Sequence, residues 1–157
     1  MTKDEEIRHG LRTAGVPDSV FSTTLVKEGQ DKLRQYIIDR VLSRKGIWLH
    51  AKPRLAASAR KTFYLLAKEL FLSGTTVCCI PLSRLADALN SDEFFGEAVM
   101  VERVKAVFIL DFYESGAGFP LDAYNASRVR TWIRSKIESG GVVSFLSDTT
   151  PDKCTDW

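Results

Sequence analysis

At 157 residues, 45% hydrophobic and 27% charged, the chain has the size and composition of one globular domain with a sizeable core. A net charge of +2 is too small to point to nucleic acid by itself. The first six residues, MTKDEE, are too charged for a signal peptide, and no apolar run approaches the roughly 20 residues a membrane helix needs. These features predict a soluble, cytoplasmic protein without membrane contact. The cysteines agree with a reducing compartment: Cys78 and Cys79 are adjacent, Cys154 lies near the end, and no spacing suits a metal.

Residues 1–28 are Gly/Pro-punctuated and read as a lead-in segment, with a short helix over 4–14. From Gln30, the residues Leu33, Ile37 and Val41 recur at helical spacing, flanked by Tyr36 and Leu42, and predict a helix ending near Gly46. A short buried strand follows over 46–50. A long helix over 56–73 has Ala59, Phe63, Leu66 and Leu70 on one face and Gly74 as its stop. A second strand over 75–80 is closed by Pro81, with Cys78 and Cys79 on opposite faces. Ser83 is the expected N-cap of a short helix over 84–89, and Ser91 of another through Phe94, Phe95 and Val99.

The run 105–111 is apolar until it ends in Asp111, which reads as a strand buried on both faces. Residues 114–118 are loop. Asp122 caps a helix with Val129, Ile133 and Ile137 on one face, and Gly140–Gly141 ends it. Residues 142–146 form the last strand, and 147–157 read as a polar, frayed tail, flexible over 151–157. Alternating strands and helices imply a three-layer α/β domain over 29–150, with a mainly parallel sheet of about four strands.

Ligands of open parallel sheets bind at the carboxyl ends of the strands. Asp111 sits at such an end, where nucleotide-binding folds hold Mg²⁺. The connection after the first strand is where a phosphate-cradling, Gly-rich loop belongs. Residues 51–62 contain no glycine. Lys61–Thr62 mimics the end of that motif, but Arg60 stands where its glycine would be; Lys52 and Arg54 offer an anion only a weak hold near a helix start. Asp148, after the last strand, is placed to neighbour Asp111, either near a γ-phosphate or as a turn residue. Phe112 occupies the position of a second, water-polarising acid. Arg60, Lys61 and Lys68 on the long helix, and Arg128, Arg130 and Arg134 on the last, would suit a single-stranded nucleic-acid backbone or form solvated helix faces. Trp48 reads as core, His9 and His50 stand alone, and no nucleophile–base constellation suggests covalent catalysis.

Several segments together resemble a family. Ala14–Gly15–Val16–Pro17 is similar to its lead-in, 46–51 to the strand before its phosphate loop, and 67–74 to the end of the following helix. Phe95–Gly96–Glu97 and 101–105 precede a Walker B-like strand as they do there, and 141–148 is similar to its sensor strand, with Asp148 at the sensor asparagine. On these segments the chain resembles the ATPase core of the DnaC/DnaI/IstB-like AAA+ proteins, the bacterial helicase loaders and their transposition relatives. The resemblance covers most of 12–150 and implies a P-loop NTPase (AAA+)-like fold. Of the family's chemistry only Asp111 is retained outright, as the metal-holding acid.

The expected function is therefore a helicase-loader-like pseudo-ATPase, an accessory protein of DNA replication of the kind a phage or other mobile element encodes. Its expected partners are a replicative helicase, a helicase loader, single-stranded DNA or a second copy of itself. No cofactor is expected, with ATP–Mg²⁺ at Lys52, Arg54, Lys61, Thr62, Asp111 and Asp148 as the alternative. The competing functions are a weak ATPase with a rearranged site and a non-enzymatic inhibitor or structural module.

Overall fold

The computed structural model describes residues 1–23, 31–90, 100–112 and 120–151. The helix expected after Ser91, the loop 114–118, the tail beyond 151 and Cys154 lie outside the described residues. The strands are β1 (Trp48–His50), β2 (Val77–Pro81), β3 (Ala106–Leu110) and β4 (Val142–Ser147). All pair in parallel, in the order β1-β4-β3-β2. The helices are α1 (Lys3–Thr13), α2 (Asp31–Leu42), α3 (Ala56–Leu72), α4 (Leu82–Asn90) and α5 (Ala123–Glu138).

The strand order follows from one reversal. The chain crosses from β1 at one edge to β2 at the other by way of α3, then steps back through β3 to β4 by way of α4 and α5. Reversing direction while keeping the hand of the crossover forces α3 onto one face and α4 and α5 onto the other. Side chains alternate accordingly. Cys79, Phe108 and Leu146 join the α1–α3 core, while Cys78, Val107, Ile109 and Val143 join the α4–α5 core. Both thiols are buried and free, and burial pushes the Cys79 thiol well above its ordinary range. Every residue of β3 is buried, as a central parallel strand requires.

The lead-in is part of this core. α1 starts with a capping box: the Glu5 N–H donates to Thr2 Oγ1 and the Thr2 N–H to Glu5 Oε2. Leu11, Ala14, Val16 and Val20 are buried against α3 and β2. The Cys79 N–H donates to the Ala14 carbonyl at 2.7 Å, so residues around Gly15 meet the outer edge of β2. β1 is the other edge, and among the described residues no strand lies beyond it.

α3 is covered on both sides. Ala59, Phe63, Leu66 and Leu70 are buried as their spacing predicts, and Lys68 and Glu69 are buried as well, because the lead-in and α2 close over the outer face. Arg34 of α2 reaches Glu69 at 2.8 Å. Three expectations change. α4 begins at Leu82, directly after Pro81, and not after a Ser83 cap. Ile137 is exposed despite its helical spacing, and Tyr36 and Leu42, which flank the Leu33–Ile37–Val41 stripe, are exposed as well. The start of the tail is held, since Trp48 Nε1 donates to the Thr149 carbonyl at 2.9 Å. The Asp122 cap is as predicted, its side chain accepting from the Asn125 N–H. Among the described residues, no helix is long and apolar enough to cross a membrane.

Gly15 has φ +84, and a Cβ there would lie 2.3 Å from the Cys79 carbonyl oxygen. Gly15→Ala should therefore destabilise the protein by about 2 kcal/mol or more. Urea denaturation measures this, and a midpoint equal to wild type would contradict the docked lead-in.

Candidate functional site

The carboxyl edge of the sheet gathers the ends of β1, β4 and β3. His50 is in register with Ser147, and the Ala51 N–H donates to the Ser147 carbonyl at 3.2 Å. The Phe112 N–H donates to the Leu146 carbonyl at 3.2 Å, so the chain leaving β3 stays beside β4. Asp111 and Asp148 thus stand at adjoining strand ends, as the sequence implies. Asp148 belongs to a turn in which its Oδ1 accepts from the Thr149 hydroxyl and Ser147 Oγ accepts from the Thr149 N–H.

Asp111 adopts φ +55, a left-handed conformation that Asp tolerates better than most residues. Its carboxylate meets a guanidinium: Arg60 Nη2 donates to Asp111 Oδ1. Tyr64, one helical turn further along α3, lies close enough to act on the Arg60 charge. Burial works against the Arg60 charge, but Asp111 and Tyr64 more than offset it and hold the guanidinium above its ordinary range. Tyr64 is itself raised, chiefly by burial. Phe112 turns the other way, into the α4–α5 core, with ring centroids 5.1 Å from Trp48 and 4.7 Å from Phe145.

The remaining predicted site residues scatter. Lys52 and Arg54 are exposed around the 3-10 turn Pro53–Leu55 that leads into α3. Arg60 and Lys61 line a cleft of about 560 Å³ together with Pro17, Val20, Ala57 and Tyr64. Thr62 is half-buried, two residues beyond Arg60 and so turned well away from it around the helix. The cation that reaches Asp111 is Arg60, which the sequence marked only as a replaced glycine and a basic helix residue.

The basic residues do not form one track. Lys68 is 5% exposed, and its ammonium donates to the carbonyls of Val20, Phe21 and Thr23 at 3.1, 2.8 and 2.7 Å. It closes the lead-in onto α3 and does not face solvent, which corrects its reading as a nucleic-acid contact. Arg128 donates to the Leu89 carbonyl at 2.8 Å and lies 5.7 Å from the Tyr124 ring, tying α5 to α4. Arg130 and Arg134 are exposed on α5, across the sheet from Arg60 and Lys61.

These residues do not fit a metal-bound nucleotide. The Asp111 carboxylate already carries a cation, Phe112 is packed inside, and no glycine between His50 and Ala56 lets backbone N–H groups close on a phosphate. Among the described residues, no group of three or more His, Cys, Asp or Glu side chains could hold a metal ion. No family model matches the chain, and no curated protein is significantly similar to it.

Two predictions follow from this geometry. Asp111→Gly and Asp111→Ala both lose the ion pair, but only Gly relieves the positive φ, so the Gly variant should be the more stable by about 1 kcal/mol in urea denaturation. Equal stabilities would contradict the left-handed backbone. Lys68→Ala leaves buried carbonyls unpaired and should cost about 3 kcal/mol, measured the same way; a loss under about 0.5 kcal/mol, the range of surface substitutions, would contradict the buried cap.

Proposed function

We propose that this chain is a nucleotide-independent module of helicase-loader type, a P-loop NTPase (AAA+)-like scaffold that works by binding a protein partner in DNA replication. The observation that carries the reading is an acid at the carboxyl end of a central parallel strand facing a β1–α3 connection with no phosphate cradle. The partner class rests on the segment resemblance, and the lack of nucleotide chemistry rests on the arrangement around Asp111. Two surfaces suit docking: the outer edge of β1, to which a helicase, a loader or a second copy could add, and the exposed rim around Lys52 and Arg54.

The tagged protein should capture a replicative helicase or its loader from the native host equally with and without MgATP. Purified protein should show no ATP turnover that Asp111→Ala abolishes. Turnover lost in Asp111→Ala would establish the enzyme reading instead, and failure to capture either partner would remove the replication assignment.

A second reading, contact with single-stranded DNA, is favoured by the exposure of Arg130 and Arg134 on the outer side of α5. Replacing both with Ala should then reduce the slope of log affinity against log salt by about 1.4, the share of two phosphates on a single strand. An unchanged slope would take α5 out of any DNA site.

A further inference from the structure

We propose that Arg60 is a resident cation at the carboxyl edge, holding on Asp111 the place that a divalent ion takes in ATPases of this architecture. This inference rests on the scaffold reading above and specifies how the site works without nucleotide. A metal-bound nucleotide bridges the phosphate loop to the strand bearing the acid, and that bridge comes and goes with the ligand. Here the bridge is covalently part of the chain. Arg60 belongs to α3, the helix that a phosphate loop would precede, and it reaches across to the end of β3.

Three features make the arrangement a built one. Tyr64, at i+4, lines the same cleft as Arg60 and acts on its charge from the helix side. The left-handed turn at Asp111 sends Phe112 into the aromatic cluster with Trp48 and Phe145 while the carboxylate meets α3. The charges of the pair cancel, so a divalent ion at Asp111 would first have to displace Arg60. The side chains remain 42% and 34% exposed, so the pair is reachable by salt and by competing ions. The consequence is a permanent latch between α3 and β3 in place of a nucleotide-controlled one.

The test uses the full-length chain. Melting temperatures are measured for wild type, Arg60→Ala, Asp111→Asn and the double variant, each with and without millimolar MnCl₂ and MgATP. Each single substitution should lower the melting temperature, and the double variant should melt no lower than the worse single one, because both remove the same bond. Wild type should show no shift with either addition. Additive losses would overturn the latch. So would a wild-type melting temperature raised by MnCl₂ or MgATP and no longer raised in Asp111→Asn. If a variant does not fold, calorimetric titration of MnCl₂ into wild type decides alone: no saturable heat supports the resident cation, and saturable binding overturns it. Arg60→Lys, which keeps the charge but not the fork, should recover part of the lost melting temperature. Partner capture is scored separately, so a latch that fails while helicase or loader is still captured leaves the scaffold reading standing, and the converse result leaves the latch standing.

Discussion

A parallel strand with no solvent-facing side must be covered above and below, and β3 imposes that requirement on the whole chain. Its residues, Ala106 to Leu110, are buried without exception, so one core forms on each side of it. The single reversal in strand order meets the demand by sending α3 to one face and α4 and α5 to the other. On the α3 side a further cover of lead-in and α2 closes over the helix, which is why a lysine and a glutamate of α3 end up inside with dedicated partners. Asp111, the first residue beyond β3, is where the chain leaves the two cores.

At that place the chain has put an ion pair. The Asp111 carboxylate and the Arg60 guanidinium meet at the end of the buried strand, and the next residue, Phe112, packs with Trp48 and Phe145 on the other face of the sheet. A carboxylate already neutralised by a fixed guanidinium is a poor ligand for an added cation. The absence of glycine in the β1–α3 connection points the same way, since a chain confined to ordinary φ values cannot wrap its N–H groups around a phosphate as a glycine loop does. Packing and electrostatics therefore agree on a parallel α/β architecture in which the acid at the strand end is satisfied by the chain's own side chain.

Much of this architecture was legible because burial leaves a periodic trace. The apolar runs at 77–80, 106–110 and 142–146 marked strands, and Ala59, Phe63, Leu66 and Leu70 marked the inner face of α3. Asp111 was visible because an acid ends an apolar run. Its partner was not: Arg60 lies 51 residues away, and no local pattern tells a helix arginine that faces solvent from one that crosses to a strand end. Lys68 was misread for a related reason. Its surface position on an isolated α3 is real, but the lead-in folds back over it, and that contact spans more than 40 residues. Ile137 erred in the opposite direction, since helical spacing places it in line with Ile133 although nothing among the described residues covers the end of that stripe.

The most direct test of a self-satisfied edge is an equilibrium titration of the intact protein with a fluorescent ATP analogue in Mg²⁺, competed with unlabelled ATP. The account predicts no saturable, competable binding. Saturable binding that ATP displaces and that Asp111→Asn abolishes would contradict it, and would return Asp111 to the role of a metal-holding acid.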